Sequence, residues 1–206
     1  MDWKKFFRFG KNKSDTLNEE LVYEMGFSHD AIDIFKQVSN NNYQRLTIKN
    51  LDDKGEKDVD GISFSTSNEQ AEKIIIELKS KLNPLGCLVF ISEQENNRSK
   101  IGAIKGNDQF DILKIQQTNG DNYDIGNEDV IDTLKKWNSR YPFDIIGADF
   151  DWVEANFKVL PSDKEIKSFA KEIYDFCPDV VEQGAGDIES LIEEIKNSKK
   201  LYLWWD

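Results

Sequence analysis

The chain is poor in the residues on which much enzyme and metal chemistry depends. Its 206 residues include one histidine, His29, within the polar stretch Ser28-His29-Asp30. With a single histidine, multi-histidine metal sites are excluded, and no histidine-based catalytic triad can form elsewhere in the chain than at His29. The neighbouring serine is a favoured helix N-cap, so we expect His29 to be an exposed residue beside a cap.

Cysteine is also scarce. Cys87 lies in an apolar run and Cys177 lies near aromatic residues, and their number and spacing match neither a disulfide framework nor a zinc site. Free cysteines in such surroundings pack as small buried apolar residues. Asp175 and Asp179 flank Cys177 and would raise the pKa of its thiol, which argues against a cysteine nucleophile.

Long apolar runs and phosphate-binding loops are missing from the sequence. No run approaches the length that crosses a bilayer, and the start has no apolar core followed by a small-residue cleavage site. The Gly184-Ala185-Gly186 segment lacks the third glycine of a dinucleotide fingerprint, and no Walker-type Gly-Lys-Ser/Thr occurs. The sequence therefore predicts a cytoplasmic protein without a cofactor, in which Gly184 and Gly186 shape a turn.

Negative charge dominates the composition. The chain has 39 acidic and 27 basic residues, which give a formal net charge of -12. Proteins that bind nucleic acid need a basic surface, so nucleic acid is not an expected partner. An acidic surface serves solubility and can also attract a basic protein partner.

Residues 1–13 reverse this charge pattern, with five basic residues and one acidic residue. Trp3, Phe6 and Phe7 have the i, i+3, i+4 spacing of one helix face. A basic aromatic helix of this kind could lie on an anionic membrane surface. The alternative is docking on the acidic body of its own domain.

The sequence patterns that indicate helices and strands become clearer after residue 66, so we divide the chain there. Residues 1–66 are predicted to be an extension with helical pieces over 14–42 and strand candidates at 46–48 and 62–65. Residues 67–206 are predicted to form an α+β domain, whose first helix opens with the capping-box pattern Ser67-Asn68-Glu69-Gln70.

The order of later elements predicts the fold of this domain. The predicted elements are a hairpin at 87–91 and 101–104, a strand at 110–116, a helix at 127–140, strands at 143–147 and 152–159, helices from 162 and from 188, and a last strand at 201–205. From residue 110 this is the split β-α-β (ferredoxin-like) order. The sequence thus predicts an α+β fold, with a mostly antiparallel sheet that the hairpin extends and helices packed on one face.

Five motifs in the second half support a family resemblance. They are Gly147-Ala148-Asp149, Asp151-Trp152-Val153-Glu154, Tyr174-Asp175-Phe176-Cys177-Pro178-Asp179, Gln183-Gly184 and Leu203-Trp204-Trp205-Asp206. In this order and spacing they resemble the bacterial family known as domain of unknown function 4253, over about residues 100–206. That family is defined by sequence and has no assigned reaction, so the resemblance implies a shared domain without naming an activity.

Acidic and aromatic side chains of these motifs make up a candidate binding surface. Its members are Asp149, Asp151, Trp152, Glu154, Asp179, Gln183, Trp204, Trp205 and Asp206. Carboxylates that converge could hold magnesium or calcium, although acidic turns are ordinary in so acidic a chain. Asp206 would contribute both its side chain and the terminal carboxylate. Trp204 and Trp205 lie on opposite faces of the last strand, so at least one of them is expected in the core.

Two functions are compatible with these patterns. The first is a non-enzymatic protein-binding module with an acidic surface and a basic partner, such as an antidote to a toxin or an accessory factor. Tryptophans on a surface would serve it as a recognition platform. The second is a metal-dependent hydrolase or transferase that uses Asp149, Asp151, Glu154 and Asp206.

Overall fold

The computed structural model describes residues 19–49 and 55–206. The strands of this part form one seven-stranded sheet. They are β1 (Gln44–Lys49), β2 (Glu56–Ser67), β3 (Cys87–Glu95), β4 (Arg98–Lys105), β5 (Phe143–Ala148), β6 (Trp152–Phe157) and β7 (Lys200–Trp204).

Seven α-helices accompany the sheet in the described residues. They are α1 (Glu19–Glu24), α2 (His29–Ser39), α3 (Asn68–Leu82), α4 (Asp111–Gln116), α5 (Asn127–Arg140), α6 (Ile166–Phe176) and α7 (Ile188–Ser198). A turn of π-helix, Val180–Ala185, joins α6 to α7. None of the described helices combines the length and the apolar character that crossing a bilayer requires.

The sheet has the order β1-β2-β4-β3-β5-β6-β7. Every pair of neighbouring strands is antiparallel except β3 and β5, which run parallel. The predicted α+β class with a mostly antiparallel sheet is therefore confirmed. The predicted hairpin is β3 and β4, and it belongs to the same sheet as the later strands. The strands β1 and β2 lie at one end of this sheet.

The predicted ferredoxin-like order is wrong at its first strand. Residues 110–116 contain the helix α4 instead. The buried residues of α4 are Ile112, Leu113 and Gln116, which have the i, i+1, i+4 spacing of one helix face. The apolar residues that suggested a strand thus form the buried face of a short helix. From residue 110 the chain therefore has two α-helices, α4 and α5, before β5, rather than a strand and a helix.

Helices cover both faces of the sheet, so the prediction of one covered face is wrong. The helices α1 to α3 pack on one face against side chains such as Val89. The helices α4 to α7 pack on the other face against Leu88 and Phe90. Because adjacent strand residues point to opposite faces, an unbroken apolar run such as 87–91 requires cover on both.

The basic aromatic segment 1–13 lies outside the described residues. From Glu19 onwards, α1 and α2 contribute Val22, Ile32 and Phe35 to the same core as Ile62 and Phe64 of β2. The elements α1, α2 and β2 therefore share a hydrophobic core with the helix α3 that follows them.

Candidate functional site

Asp179 is the most extensively hydrogen-bonded carboxylate of the candidate surface. It is 2% exposed and lies just before the π-helical turn. Its Oδ1 accepts from the hydroxyl of Tyr123 at 2.7 Å and from Nε2 of Gln183 at 2.9 Å, and its Oδ2 accepts from the backbone N–H of Asp206 at 3.0 Å. Burial acts to raise the pKa of Asp179, but these hydrogen bonds outweigh it and hold the pKa below its ordinary value.

Asp149 has a different partner. It is buried after β5, its Oδ1 accepts from the N–H of Phe150 at 2.8 Å, and its Oδ2 lies 3.1 Å from Nζ of Lys49. Burial raises the pKa of Asp149, and the charge of Lys49 offsets only part of this effect. Lys49 also lies over the ring of Phe150, 4.3 Å from its centroid. Asp149 is thus joined to the end of β1.

Glu154 and Asp151 are held separately. Glu154 forms a 2.9 Å ion pair with Lys200, which also pairs with Glu72 of α3 at 2.9 Å. Asp151 is half-buried, and burial raises the pKa of its side chain. Its carbonyl oxygen accepts the N–H of Trp205 at 2.9 Å.

The structure therefore assembles only part of the candidate surface. Asp179, Gln183 and Asp206 are in direct contact, whereas Asp149 and Glu154 are paired with lysines of other strands. Across residues 19–49 and 55–206, no group of three or more histidine, cysteine, aspartate or glutamate side chains is placed to hold a metal ion. The metal-dependent alternative has no assembled ligand group in this part of the chain.

Three tryptophans press their rings against glycines. The pairs are Gly147 with Trp152, Gly120 with Trp205, and Gly184 with Trp204. A Cβ atom on Gly184 would lie 2.5 Å from Cη2 of Trp204, and one on Gly120 would lie 2.7 Å from the ring of Trp205. These distances leave no room for a side chain, so the glycines allow the close approach of backbone and indole.

The tryptophans do not form one exposed platform. Trp205 belongs to the core cluster on the α4–α7 face and Trp152 to the cluster on the other face. The prediction that at least one of Trp204 and Trp205 lies in the core is confirmed, since Trp205 is buried. Trp204 is half-buried, and its ring centroid lies 5.4 Å from that of Tyr202, which is 42% exposed.

Both cysteines are free and buried, as predicted. The thiol of Cys177 donates to the carbonyl oxygen of Trp204 at 3.0 Å, and burial raises its pKa to about 12. A thiol with so high a pKa stays protonated near neutral pH, which is the less nucleophilic form of cysteine. His29 is exposed at the first position of α2, next to the N-cap Ser28, also as predicted.

The strand β7 lies at one edge of the sheet, paired with β6 alone among the described strands. The N–H of Trp205 donates to Asp151, and the carbonyl oxygen of Lys199 accepts from Phe157. Backbone hydrogen bonding alternates along an antiparallel pair, so the backbone groups of Tyr202 and Trp204 point away from β6. Cys177 meets the carbonyl of Trp204, whereas no hydrogen bond from another described residue reaches the backbone of Tyr202.

A groove of about 410 Å3 opens beside this edge. Its apolar lining is Ile173, Val180, Leu191, Ile195, Leu201, Tyr202 and Trp204. Glu194 and Lys200 also line it. We call it the β7 groove. Sequence reasoning located the last strand but missed Tyr202 and the groove; the signal for Tyr202 was its position between the two buried leucines of an alternating strand.

Comparison with known proteins identifies the second half of the chain. The model of the family described as Domain of unknown function (DUF4253) matches residues 100–206. Searches of the curated proteins and of the solved structures gave no match. The matched region includes Asp149 to Glu154, the π-helical turn and β7, and it spans just over half of the sequence. The chain belongs to the DUF4253 family.

Proposed function

We propose that the protein is a non-enzymatic protein-binding module whose partner adds an extended basic segment along the outer edge of β7. The observation that carries this proposal is the outward-facing backbone of Tyr202 above the β7 groove. An edge strand with unpaired N–H and C=O groups is a template for another strand. Peptide recognition by strand addition uses such an edge for backbone hydrogen bonds and an adjacent pocket for side chains.

The groove fits the geometry of strand addition. Alternate side chains of an extended segment point the same way, so every second residue of the partner would enter the groove over Leu191 and Ile195. Tyr202 and Trp204 would border these side chains, and aromatic residues of this kind often dominate binding energy. A volume of about 410 Å3 accommodates a few apolar side chains rather than a folded domain.

The charge of the protein favours a basic partner. The formal net charge is -12, and Glu194 lines the groove. Lys200, the basic residue of the lining, is already paired with Glu72 and Glu154. An antidote to a basic toxin and an accessory factor are the two roles that suit such a module. The proposal keeps the cytoplasmic location predicted from the sequence, where free cysteines such as Cys87 and Cys177 are common.

Site-specific photo-crosslinking in the source cells tests the proposal, because it captures the segment that lies in the groove. A photoreactive residue replaces exposed Asn197 in the groove, and a control replaces Ile76 of α3, which is 57% exposed. We expect a discrete cross-linked product from position 197 and none from position 76. Mass spectrometry should place the cross-link in a partner segment of net positive charge.

Two substitutions at Tyr202 separate backbone recognition from loss of the ring. Tyr202→Pro removes both the ring and the outward N–H, and edge strands tolerate proline at such a position. Tyr202→Thr removes the ring and retains the N–H. We expect the cross-linked product to be lost in the first variant and reduced but present in the second. Equal products from positions 197 and 76, no product at 197, or a product that survives in Tyr202→Pro would refute the proposal.

A further inference from the structure

The strands β3 and β5 diverge at the centre of the sheet. They pair at one position, Ile91 with Gly147. Nearer its start, β5 is bonded by the side chain of Gln109 instead, whose Nε2 donates to the carbonyl oxygen of Phe143 at 3.1 Å and whose Oε1 accepts from the N–H of Ile145 at 2.8 Å. Gln109 thus replaces the strand pairing that the divergence removes.

A polar crevice of about 310 Å3 opens where the strands diverge. Its polar lining, besides Gln109, is Lys79, Asn83, Asn107, Asp108, Asn138 and Asp144. We call it the Lys79 crevice. It combines one ammonium group, three asparagine amides and two carboxylates, and it does not share a lining residue with the β7 groove.

Lys79 reaches this crevice from α3 without a carboxylate partner. Its Nζ donates to the carbonyl oxygen of Ile145, and within the described residues it forms no ion pair. The nearby carboxylate of Asp144 pairs with Lys158 at 2.8 Å. Burial lowers the pKa of Lys79 to about 8, with Asp144 opposing and Lys158 reinforcing the effect. The ammonium group has three N–H donors, of which one is used for Ile145, and a bound anion would stabilise its charge.

The asparagines add donors around the same space. Oδ1 of Asn138 accepts from the N–H of Phe143 at 2.9 Å, which leaves its NH2 group available. The side chains of Asn83 and Asn107 make no hydrogen bond within the described residues and are exposed at the crevice. Amide and ammonium donors together bind a carboxylate well.

We propose that the Lys79 crevice binds a free α-amino acid, with Lys79 and the asparagine amides at its carboxylate and with Asp108 and Asp144 at its ammonium group. The two aspartates disfavour a phosphate dianion by like-charge repulsion. A ligand without an anionic group would leave the ammonium of Lys79 uncompensated. The volume lies at the lower end for ligand sites, which suits a molecule of this size rather than a nucleotide cofactor.

Side-chain NMR of Lys79 in the full-length protein tests this assignment. The common amino acids are added singly at millimolar concentration, with inorganic phosphate as a competing probe. We expect at least one amino acid to shift the Lys79 signal saturably and to raise the pKa of Lys79 above about 8, because the bound carboxylate favours the charged amine. The matching amine without a carboxylate should bind about tenfold more weakly or worse.

Variants decide whether the binding uses the crevice. Lys79→Met should abolish binding, whereas Lys81→Met should leave it unchanged, since Lys81 is an exposed lysine of the same helix that pairs with Glu77. Asn138→Asp retains the acceptor for Phe143 and places a negative charge beside the ligand carboxylate, so it should weaken binding even if Lys79→Met does not fold. The assignment is wrong if no amino acid moves the Lys79 signal, if phosphate alone binds, or if binding survives both crevice variants.

Discussion

The pKa values of two buried aspartates of the family motifs are shifted in opposite directions. Asp179 receives hydrogen bonds from Tyr123, Gln183 and the backbone of Asp206, and its pKa is lowered. Asp149 has one backbone donor and one partly exposed lysine, and its pKa is raised by burial. The charged form of Asp179 therefore stabilises the folded state, whereas the charged form of Asp149 destabilises it.

Replacing Asp179 should destabilise the protein in a pH-dependent way. In Asp179→Asn, the amide cannot accept all three hydrogen bonds, and we expect a loss of about 1–3 kcal/mol at pH 7. A carboxyl with a lowered folded-state pKa contributes stability that is present above its ordinary pKa and is lost as the pH falls through the folded value. The difference between variant and wild type in urea unfolding should thus shrink below about pH 4. A difference that does not change with pH would contradict this assignment.

Asp149→Asn should behave in the opposite way. The amide oxygen can still accept from Phe150, and half-exposed Lys49 can be solvated once its partner is neutral. Because the raised pKa means that ionisation opposes folding as the pH rises, we expect the variant at pH 7 to be as stable as wild type or more stable by up to about 1 kcal/mol. Urea unfolding at pH 7 checks this, and a loss above about 2 kcal/mol would show that the Asp149 ion pair is strongly stabilising.

Gly184→Ala tests the contact between the π-helical turn and Trp204. The added Cβ would lie 2.5 Å from Cη2 of the indole, so the turn or the ring must move, at a cost of about 1–3 kcal/mol. Phenylalanine lacks that outer ring atom, so Gly184→Ala should cost less in a Trp204→Phe background. A double-mutant cycle from thermal or urea unfolding measures the coupling. The absence of coupling would mean that the contact does not constrain the turn.

At the scale of elements, the sequence predicts what depends on local pattern. The periodic apolar positions and flanking residues of α5 predict a helix at 127–140, which matches Asn127–Arg140. The segment 110–116 is ambiguous because its seven residues are too few to distinguish a helical period from a strand period, and tertiary packing selects the helix. The side of the sheet that each helix covers is not encoded locally, although the unbroken apolar run 87–91 carries part of that information.

Gln109 is an element-scale feature, because one side chain takes the place of a strand pairing. Gln109→Ala leaves the carbonyl of Phe143 and the N–H of Ile145 without a partner, and we expect a loss of about 1–3 kcal/mol in urea unfolding. Gln109→Glu keeps the acceptor for Ile145 but places a carboxylate oxygen against the carbonyl oxygen of Phe143, so at pH 7 it should cost at least as much as Gln109→Ala. Equal stability of both variants and wild type would show that water replaces the side chain without penalty.

At the scale of the whole molecule, four of the five family motifs meet around β7, although their residues lie between Asp151 and Asp206 in the sequence. Asp179 holds Asp206, Gly184 admits Trp204, and Asp151 accepts from Trp205. The motifs therefore fix the position of the edge strand, and the groove beside it is a product of that arrangement. The sequence predicts the last strand and the burial of one tryptophan. It does not predict the groove or the Lys79 crevice, because both depend on how α7, α3 and diverging strands are placed in space.

Amide hydrogen exchange along β7 tests the central claim most directly. In the free protein, the Tyr202 amide should exchange about 100-fold faster than those of Leu201 and Leu203, because its N–H points away from β6 whereas theirs are bonded to β6. On addition of the partner segment found by cross-linking, the Tyr202 amide should slow to the rate of its neighbours. A Tyr202 amide that is already as slow as Leu203 in the free protein, or that is not slowed by the segment, would contradict strand addition at this edge.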